Sequence, residues 1–312
     1  MRTLFFLTLL FMNQIALADV DNCHNMQLQT SQTAVNFNNT NTAAPTFTVK
    51  ANTQFGGCDF FITFDNGDAS SYSSRALEQG SDKWPFQVSK DSAQQNILKH
   101  FPFVTGPNDV LTGSLAEGNN DRQVNVTYYA QIDDSNPWLK FGNYSETLTA
   151  RLYKGSPASP GNYTFIDSRA IAFYYNAQKR ADISITAPGG EFDIGDTTET
   201  MNFGALSTGL TRAASIILKY NAGYMLYASS QNNGRLKHST ANQFISYVLT
   251  ISGSAINLSG TASNPIQVAR VLGRSPASGT VLPVSATIGT VATNQQSGTY
   301  SDTITLTVQS AE

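Results

Sequence analysis

GNYSETLTARLY, residues 142–153, and GTYSDTITLTVQ, residues 298–309, are one phrase written twice, 156 positions apart. In each, a glycine is followed two positions on by tyrosine, then by Ser, a carboxylate and Thr, after which polar and apolar residues alternate. Ile304, Leu306 and Val308 alternate with Thr303, Thr305 and Thr307, which places the apolar set on one face of a half-buried strand. Such a strand, repeated at this distance, predicts two divergent copies of one β domain.

The repeat extends upstream. FQVSKDSAQQNIL, from Phe86, matches YVLTISGSAINLS, from Tyr247, with Asn96 falling on Asn257, and SSYSSRAL before the first corresponds loosely to SQNNGRLK before the second. Further β-rich runs are FTVK (47–50), FFITF (60–64), VNVTYYAQI (124–132), ASIILKY (214–220), YMLYA (224–228) and FISYVLTI (244–251). Asn-Gly, Gly-Gly and Gly-Pro pairs separate many of them, as turns do. Ala93–Leu98 is expected as a helical turn, and no long amphipathic helix is present. The chain therefore reads as all-β, with two immunoglobulin-like sandwiches. The polar, basic stretch NAQKRAD, 176–182, has the composition of a boundary. It divides an N-terminal domain, residues 19–178, from a C-terminal one, residues 181–312.

Residues 1–18 have the form of a secretory signal peptide: Arg2, an apolar run from Leu4 to Met12, and Ala16-Leu17-Ala18 before the expected cleavage. The apolar run is too short to span a hydrocarbon layer of about 30 Å. In an oxidising compartment the two cysteines, Cys23 and Cys58, most simply form one disulfide. Closing the loop between them is worth roughly 3–4 kcal/mol in the chain-entropy account.

A net charge of −3 and only 13% charged residues supply no basic patch for nucleic acid. The three histidines, His24, His100 and His238, show no HExxH or HxH spacing, and GxSxG, Walker A and GxGxxG are absent. Asp133-Asp134 and the DNGD at 65–68 read as solvated turn acids, the second lacking the later bidentate Glu of a calcium loop. No metal, cofactor or catalytic site is expected, and the chain does not read as an enzyme.

GTYSDTITLTV near the end, FGALSTG (203–209) and VARVLGRSPASG (268–279) resemble the spore coat protein U family, which includes subunits of archaic chaperone–usher pili. The resemblance covers nearly all of 182–309 and is weaker in the first half, where GNYSETLT and the cysteine pair carry it. A two-copy chain behind a signal peptide is similar to the tip adhesin subunit of such a pilus, a single-copy chain being the ordinary shaft subunit. The resemblance implies export through the periplasm to the cell surface and a place at the pilus tip. The partners implied are a periplasmic pilus chaperone, the donor strand of an adjacent pilus subunit, an outer-membrane usher, and an abiotic or host surface in biofilm formation. The alternatives are a structural pilus or spore-coat subunit without adhesive role, and a secreted carbohydrate-binding protein.

The residues themselves bear on assembly. After the first phrase the chain continues with GNYTFIDSRAIAFYYNA, 161–177, enough for a closing strand; after the second only Ser310, Ala311 and Glu312 remain. The second sandwich is thus expected to be incomplete, with Ile183, Ile185, Ile304, Leu306 and Val308 lining a groove open to a donor strand. Three or four large apolar side chains inserted there would contribute about 5–12 kcal/mol, comparable to the roughly 5–15 kcal/mol by which a whole domain is stable. In the first copy, aromatic residues beside proline occupy loops that are polar in the second. The resemblance implies adhesion through exposed hydrophobic loops, and by loop character it carries that role onto Phe101, Phe103, Trp138 and Leu139, with Trp84 as a weaker addition.

Overall fold

The computed structural model describes residues 23–38, 40–53, 57–118, 121–158 and 162–311. The expected signal peptide lies outside the described residues.

Among the described residues the first half holds twelve strands: β1 (Cys23–Thr30), β2 (Ala34–Asn36), β3 (Thr42–Ala43), β4 (Thr46–Thr53), β5 (Cys58–Phe64) and β6 (Ala76–Gln79), followed by the other six. Those are β7 (Asp82–Ser89), β8 (Leu111–Leu115), β9 (Asp121–Thr127), β10 (Tyr129–Ile132), β11 (Gly142–Gly155) and β12 (Tyr163–Ala177). The second half holds β13 (Ala181–Thr186), β14 (Thr211–Tyr220), β15 (Gly223–Ser230), β16 (Arg235–His238) and β17 (Phe244–Ile251). It continues with β18 (Ser254–Ile256), β19 (Ile266–Leu272), β20 (Thr280–Ile288), β21 (Tyr300–Ser301) and β22 (Ile304–Ser310).

Each half is an immunoglobulin-like arrangement of sheets over its own core. In the first, β1-β4-β9 faces the sheet β2-β12-β11-β6-β7-β10-β3, onto which β5 and β8 are added along the later part of β11. In the second, β13-β14-β20-β17-β16-β21 faces β19-β15-β22. Among the described residues no ladder joins the halves. The first core is phenylalanine-rich, with Phe37, Phe47, Phe60, Phe64, Phe86 and Phe173 all sealed. The second is built from smaller aliphatics such as Ile216, Leu218, Leu226 and Leu249. The Cys23–Cys58 disulfide ties the start of β1 to the start of β5.

The repeated phrase has the same surroundings twice. Ser145 pairs with Glu78 of β6, and Ser301 with Lys237 of β16; further on, β11 pairs with β5 and β22 with β15. The Tyr144 hydroxyl donates to the Lys140 carbonyl, and the Tyr300 hydroxyl to the Gln296 carbonyl, both at 2.7 Å and both four residues upstream. These are tyrosine corners, which pin the chain as it enters a sandwich strand. The carboxylate closes the turn after the neighbouring strand: Glu146 accepts from the Asp68 amide, and Asp302 from the Asn232 amide. Gly142 and Gly298 sit at φ 129° and 149°, and a Cβ there would lie 2.2 Å from Gln79 and His238 respectively. The recurrent glycine is a close-approach residue.

Two local expectations change. Residues 93–98 form no helical turn, because the Asp91 carboxylate takes the amides of Gln95 and Asn96 and folds the segment back on β7. VNVTYYAQI is two strands, since the chain changes sheets at Tyr128, whose buried ring stacks on Phe47.

The junction, 178–180, is fastened by one residue. Asn221, 2% exposed, accepts from the Arg180 amide through Oδ1 (2.7 Å) and donates through Nδ2 to the Gln178 carbonyl (2.8 Å). Its backbone N–H donates to the Arg180 carbonyl, and its own carbonyl accepts from the Phe141 amide. Arg180 lies over the Trp138 ring at 4.8 Å, and Arg274 meets Asp82 at 3.0 Å.

Candidate strand-accepting groove and distal aromatic surface

The two copies differ along one strand edge. β11 is covered by β12 from Gly142↔Ala177 to Gly155↔Tyr163, antiparallel with one register shift. The outer edge of β22 has no partner among the described residues; β22 pairs only with β15. Burial follows. Leu148, Ala150 and Leu152 are sealed in β11, whereas their counterparts Ile304, Leu306 and Val308 are only half-buried in β22.

Beside that open edge runs a groove of about 850 Å³ that reaches the core residues Ile216, Leu249 and Ile251. Its walls are Tyr300 to Ile304 and Leu306 on one side and the irregular segment 197–206 on the other. Of the five residues expected to line a groove, Ile185, Ile304 and Leu306 do so. Ile183 and Val308 instead pack half-buried on the second core, where β13 approaches β22. The groove is thus shorter than the strand beside it.

Its polar end is already satisfied. Asp302 accepts from the Ser230 hydroxyl (2.5 Å), the Tyr247 hydroxyl (2.6 Å) and the amides of Asn232 and Thr303 (each 2.9 Å). Burial, then the adjacent Asp302 carboxylate, pushes the Tyr247 hydroxyl well above the usual phenol range, so Tyr247 is a fixed donor. A carboxylate with four donors can lie beside an apolar strand without needing anything from it.

The five residues expected on an adhesive surface do not come together. Phe101 and Phe103 lie with Phe61, Tyr72, Tyr153 and Tyr163 beside the C-terminal end of β11. Trp138 and Leu139 lie at its N-terminal end: Trp138 contacts Arg180 and Phe192 of the second half, and Leu139 packs on the first core. The separation follows from β11 itself, which at about 3.4 Å per residue carries its two ends some 40 Å apart. Trp84 is 2% exposed and offers no surface. It continues the inward face of β7 with Phe86 and Val88, meets Tyr144 and Tyr175 edge-on, and donates through Nε1 to the Asp133 carbonyl at 2.8 Å.

At the distal end the exposed rings are Phe103, 60% exposed, and Phe165, 53%. Phe165, at the start of β12, leans on Tyr153 and was missed as a surface residue. Its run, TFIDS, reads as strand interior, and nothing in the sequence says which end of the hairpin is solvated. The loop carrying Phe103 is braced. Tyr72 bridges the backbone of His100, accepting from its N–H at 2.9 Å and donating to its carbonyl at 3.4 Å. Asp109 accepts from the Thr105 amide (2.7 Å) and hydroxyl (2.6 Å) and meets Lys99 at 2.8 Å. Among the described residues no group of three His, Cys, Asp or Glu side chains is placed to hold a metal ion.

A family model described as the Spore Coat Protein U domain matches residues 11–151. It falls on the half that keeps the cysteine pair rather than on the second half, where the sequence resemblance is read as strongest. No curated protein matches the chain. Among solved structures, the chain is similar to one from the chaperone–tip adhesion subunit pre-assembly complex of archaic Csu pili of Acinetobacter baumannii. That match has 14% identity, covers 82% of this chain and 85% of the other, and has a TM-score of 0.42. The CupB6 tip adhesin from Pseudomonas aeruginosa matches at 12% identity over 91% and 93% of the two chains, with a TM-score of 0.36. CfaE, the adhesive subunit of CFA/I fimbria of enterotoxigenic Escherichia coli, matches at 11% over 81% and 82%, with a TM-score of 0.33.

Proposed function

We propose, for a chain whose residues 11–151 match the Spore Coat Protein U domain, that it is an exported adhesive subunit at the tip of a chaperone–usher pilus. The observation that carries the reading is the apolar groove beside the open edge of β22, in a copy whose sister is closed by β12. An open edge over an exposed core is what strand addition relieves. A periplasmic chaperone covers the groove first, and the donor strand of the adjacent subunit replaces it as an outer-membrane usher exports the complex. The segment immediately before β13 belongs to a folded domain rather than to a free alternating extension, so at that place the chain accepts a strand and has none to give. That makes it the end of a fibre.

The first half is the binding module. Phe103 and Phe165 present two exposed rings at the end away from the junction, on a braced aromatic base, and take an apolar patch of an abiotic or host surface during biofilm formation. Trp138 and Leu139 are withdrawn from this role. A carbohydrate reading is favoured by a different place, the cleft of about 320 Å³ at the junction, where Asn41, Asp134 and Arg180 adjoin Tyr175.

Co-expression with the cognate chaperone tests assembly: the full chain should accumulate as a one-to-one complex with it. A chain that stays soluble, monomeric and equally stable without any strand partner would overturn the reading. Adhesion of assembled pili to hydrophobic plastic tests the surface, and a saturable, sugar-competed signal on a glycan array would favour the cleft instead.

A further inference from the structure

We infer that β12 is the chain's own template for the foreign strand, fixing the direction, register and side-chain chemistry of the partner segment that the second half takes. This rests on the strand-accepting reading above.

The groove runs along Tyr300 to Leu306. Their counterparts in the first copy, 156 positions earlier, are Tyr144 to Ala150, which pair with Tyr175 back to Arg169. Over that stretch the inward-facing residues of β12 are Tyr175 opposite Tyr144, Phe173 opposite Glu146 and Ile171 opposite Leu148, with Phe173 and Ile171 sealed. The residue between them and Tyr175, Tyr174, is 46% exposed and marks the outward face. At Arg169, opposite Ala150, the inward apolar set ends. The groove ends at the matching place, Leu306.

The partner segment is therefore a strand antiparallel to β22, reading aliphatic-x-aromatic-x-aromatic from its N-terminus. The aliphatic residue stands opposite Ile304, the first aromatic opposite Asp302 and the second opposite Tyr300. The assignment opposite Asp302 looks adverse and is not. Phe173 lies against Glu146 in the same way, and Asp302 has its four donors from the second half itself. In the first copy Phe173 packs on Phe86 with ring centroids 5.2 Å apart. Tyr247, which the sequence repeat aligns with Phe86, lines the groove and waits for an equivalent ring.

The test uses the full chain extended after Glu312 by a flexible linker as long as the β11–β12 connection. Three strands are compared: residues 163–177, the same residues with the apolar positions slipped by one, and a plain Val-Thr alternation. The readouts are the melting midpoint of the second half and hydrogen exchange of the β22 amides. The in-register template should raise the midpoint by roughly 10 °C more than the Val-Thr strand and protect β22 most strongly. The slipped strand should do neither. If the Val-Thr or slipped strand stabilises as much as the template, the register and chemistry inferred here are wrong, although the groove still accepts strands. If no strand shifts the midpoint or protects β22, the strand-accepting reading itself falls, and this inference with it.

Discussion

Leu148 and Ile171 stand opposite each other across the β11–β12 ladder, both sealed from solvent. Ile304, which holds Leu148's place in the second copy, is half-buried with no residue opposite it on that edge among the described residues. At this edge, the first half has a strand that the second lacks among the described residues. Removing Ile171 should cost what a buried core residue costs, about 2–5 kcal/mol for Ile171→Ala, read from the first denaturation transition. Ile304→Ala should cost under about half of that in the isolated chain and the full amount once a strand is bound. Equal costs in the strand-free chain would mean the groove is already filled.

The tyrosine corners should be separable from packing. Tyr144→Phe and Tyr300→Phe each remove one hydroxyl donor and leave the ring, at a cost of about 0.5–1.5 kcal/mol. Burial holds the Tyr144 hydroxyl up at about 12, so its bond should persist throughout the neutral and mildly alkaline range. Ultraviolet titration would reveal it: an ordinary phenol midpoint for Tyr144 would contradict the corner.

Asp109 should make the distal loop acid-sensitive. Burial pushes its carboxyl up, but Lys99 and the Thr105 hydroxyl and amide outweigh that and hold it below the usual aspartate value. A depressed folded-state pKa means stabilisation that is complete above the unfolded value near ~4 and is lost as pH falls through the lower folded value. Asp109→Asn should therefore cost about 1–2 kcal/mol at neutral pH, and the gap from the parent protein should close as pH falls below the usual aspartate range. A gap that stays constant into acid would assign the loss to shape rather than charge.

Adhesion and joint stiffness should respond to different residues. Phe103→Ser with Phe165→Ser removes the exposed rings at the distal end and should reduce binding to hydrophobic plastic by roughly tenfold or more, with pilus assembly unchanged. Trp138→Ser removes the contacts to Arg180 and Phe192. It should leave adhesion near the parent level while broadening the interdomain distance distribution measured between spin labels. The reverse pattern would return the adhesive role to Trp138.

Much of the architecture was legible from alternation and repetition. The strand at 304–310 and the copy at 142–155 follow from period-two patterning, whereas the open edge of β22 among the described residues is seen only in the ladders. The surface was less legible, for a physical reason. Trp84, Phe101 and Trp138 all sit near proline in polar company, yet one is core, one is part of a distal ring cluster and one faces the other half. Neighbours in sequence specify a turn; which end of a 14-residue strand the turn occupies is decided by pairing with distant strands. Phe165 was hidden by the same limit, because alternation names a face of a sheet and not how far along the sheet solvent begins.

The Asn221 fastening has a mechanical meaning. In the proposed adhesive role, drag on an attached cell would pull the distal end of the first half away from the fibre, and residues 178–180 are the covalent link that would carry that tension. With Asn221 bonded to Gln178, Arg180 and Phe141, the load divides between the covalent chain and the turn joining β14 to β15. That turn also receives the end of β22, through the Ala311 amide on the Gly223 carbonyl. Force entering at the distal end would therefore be delivered to β22, the strand proposed to carry the next subunit.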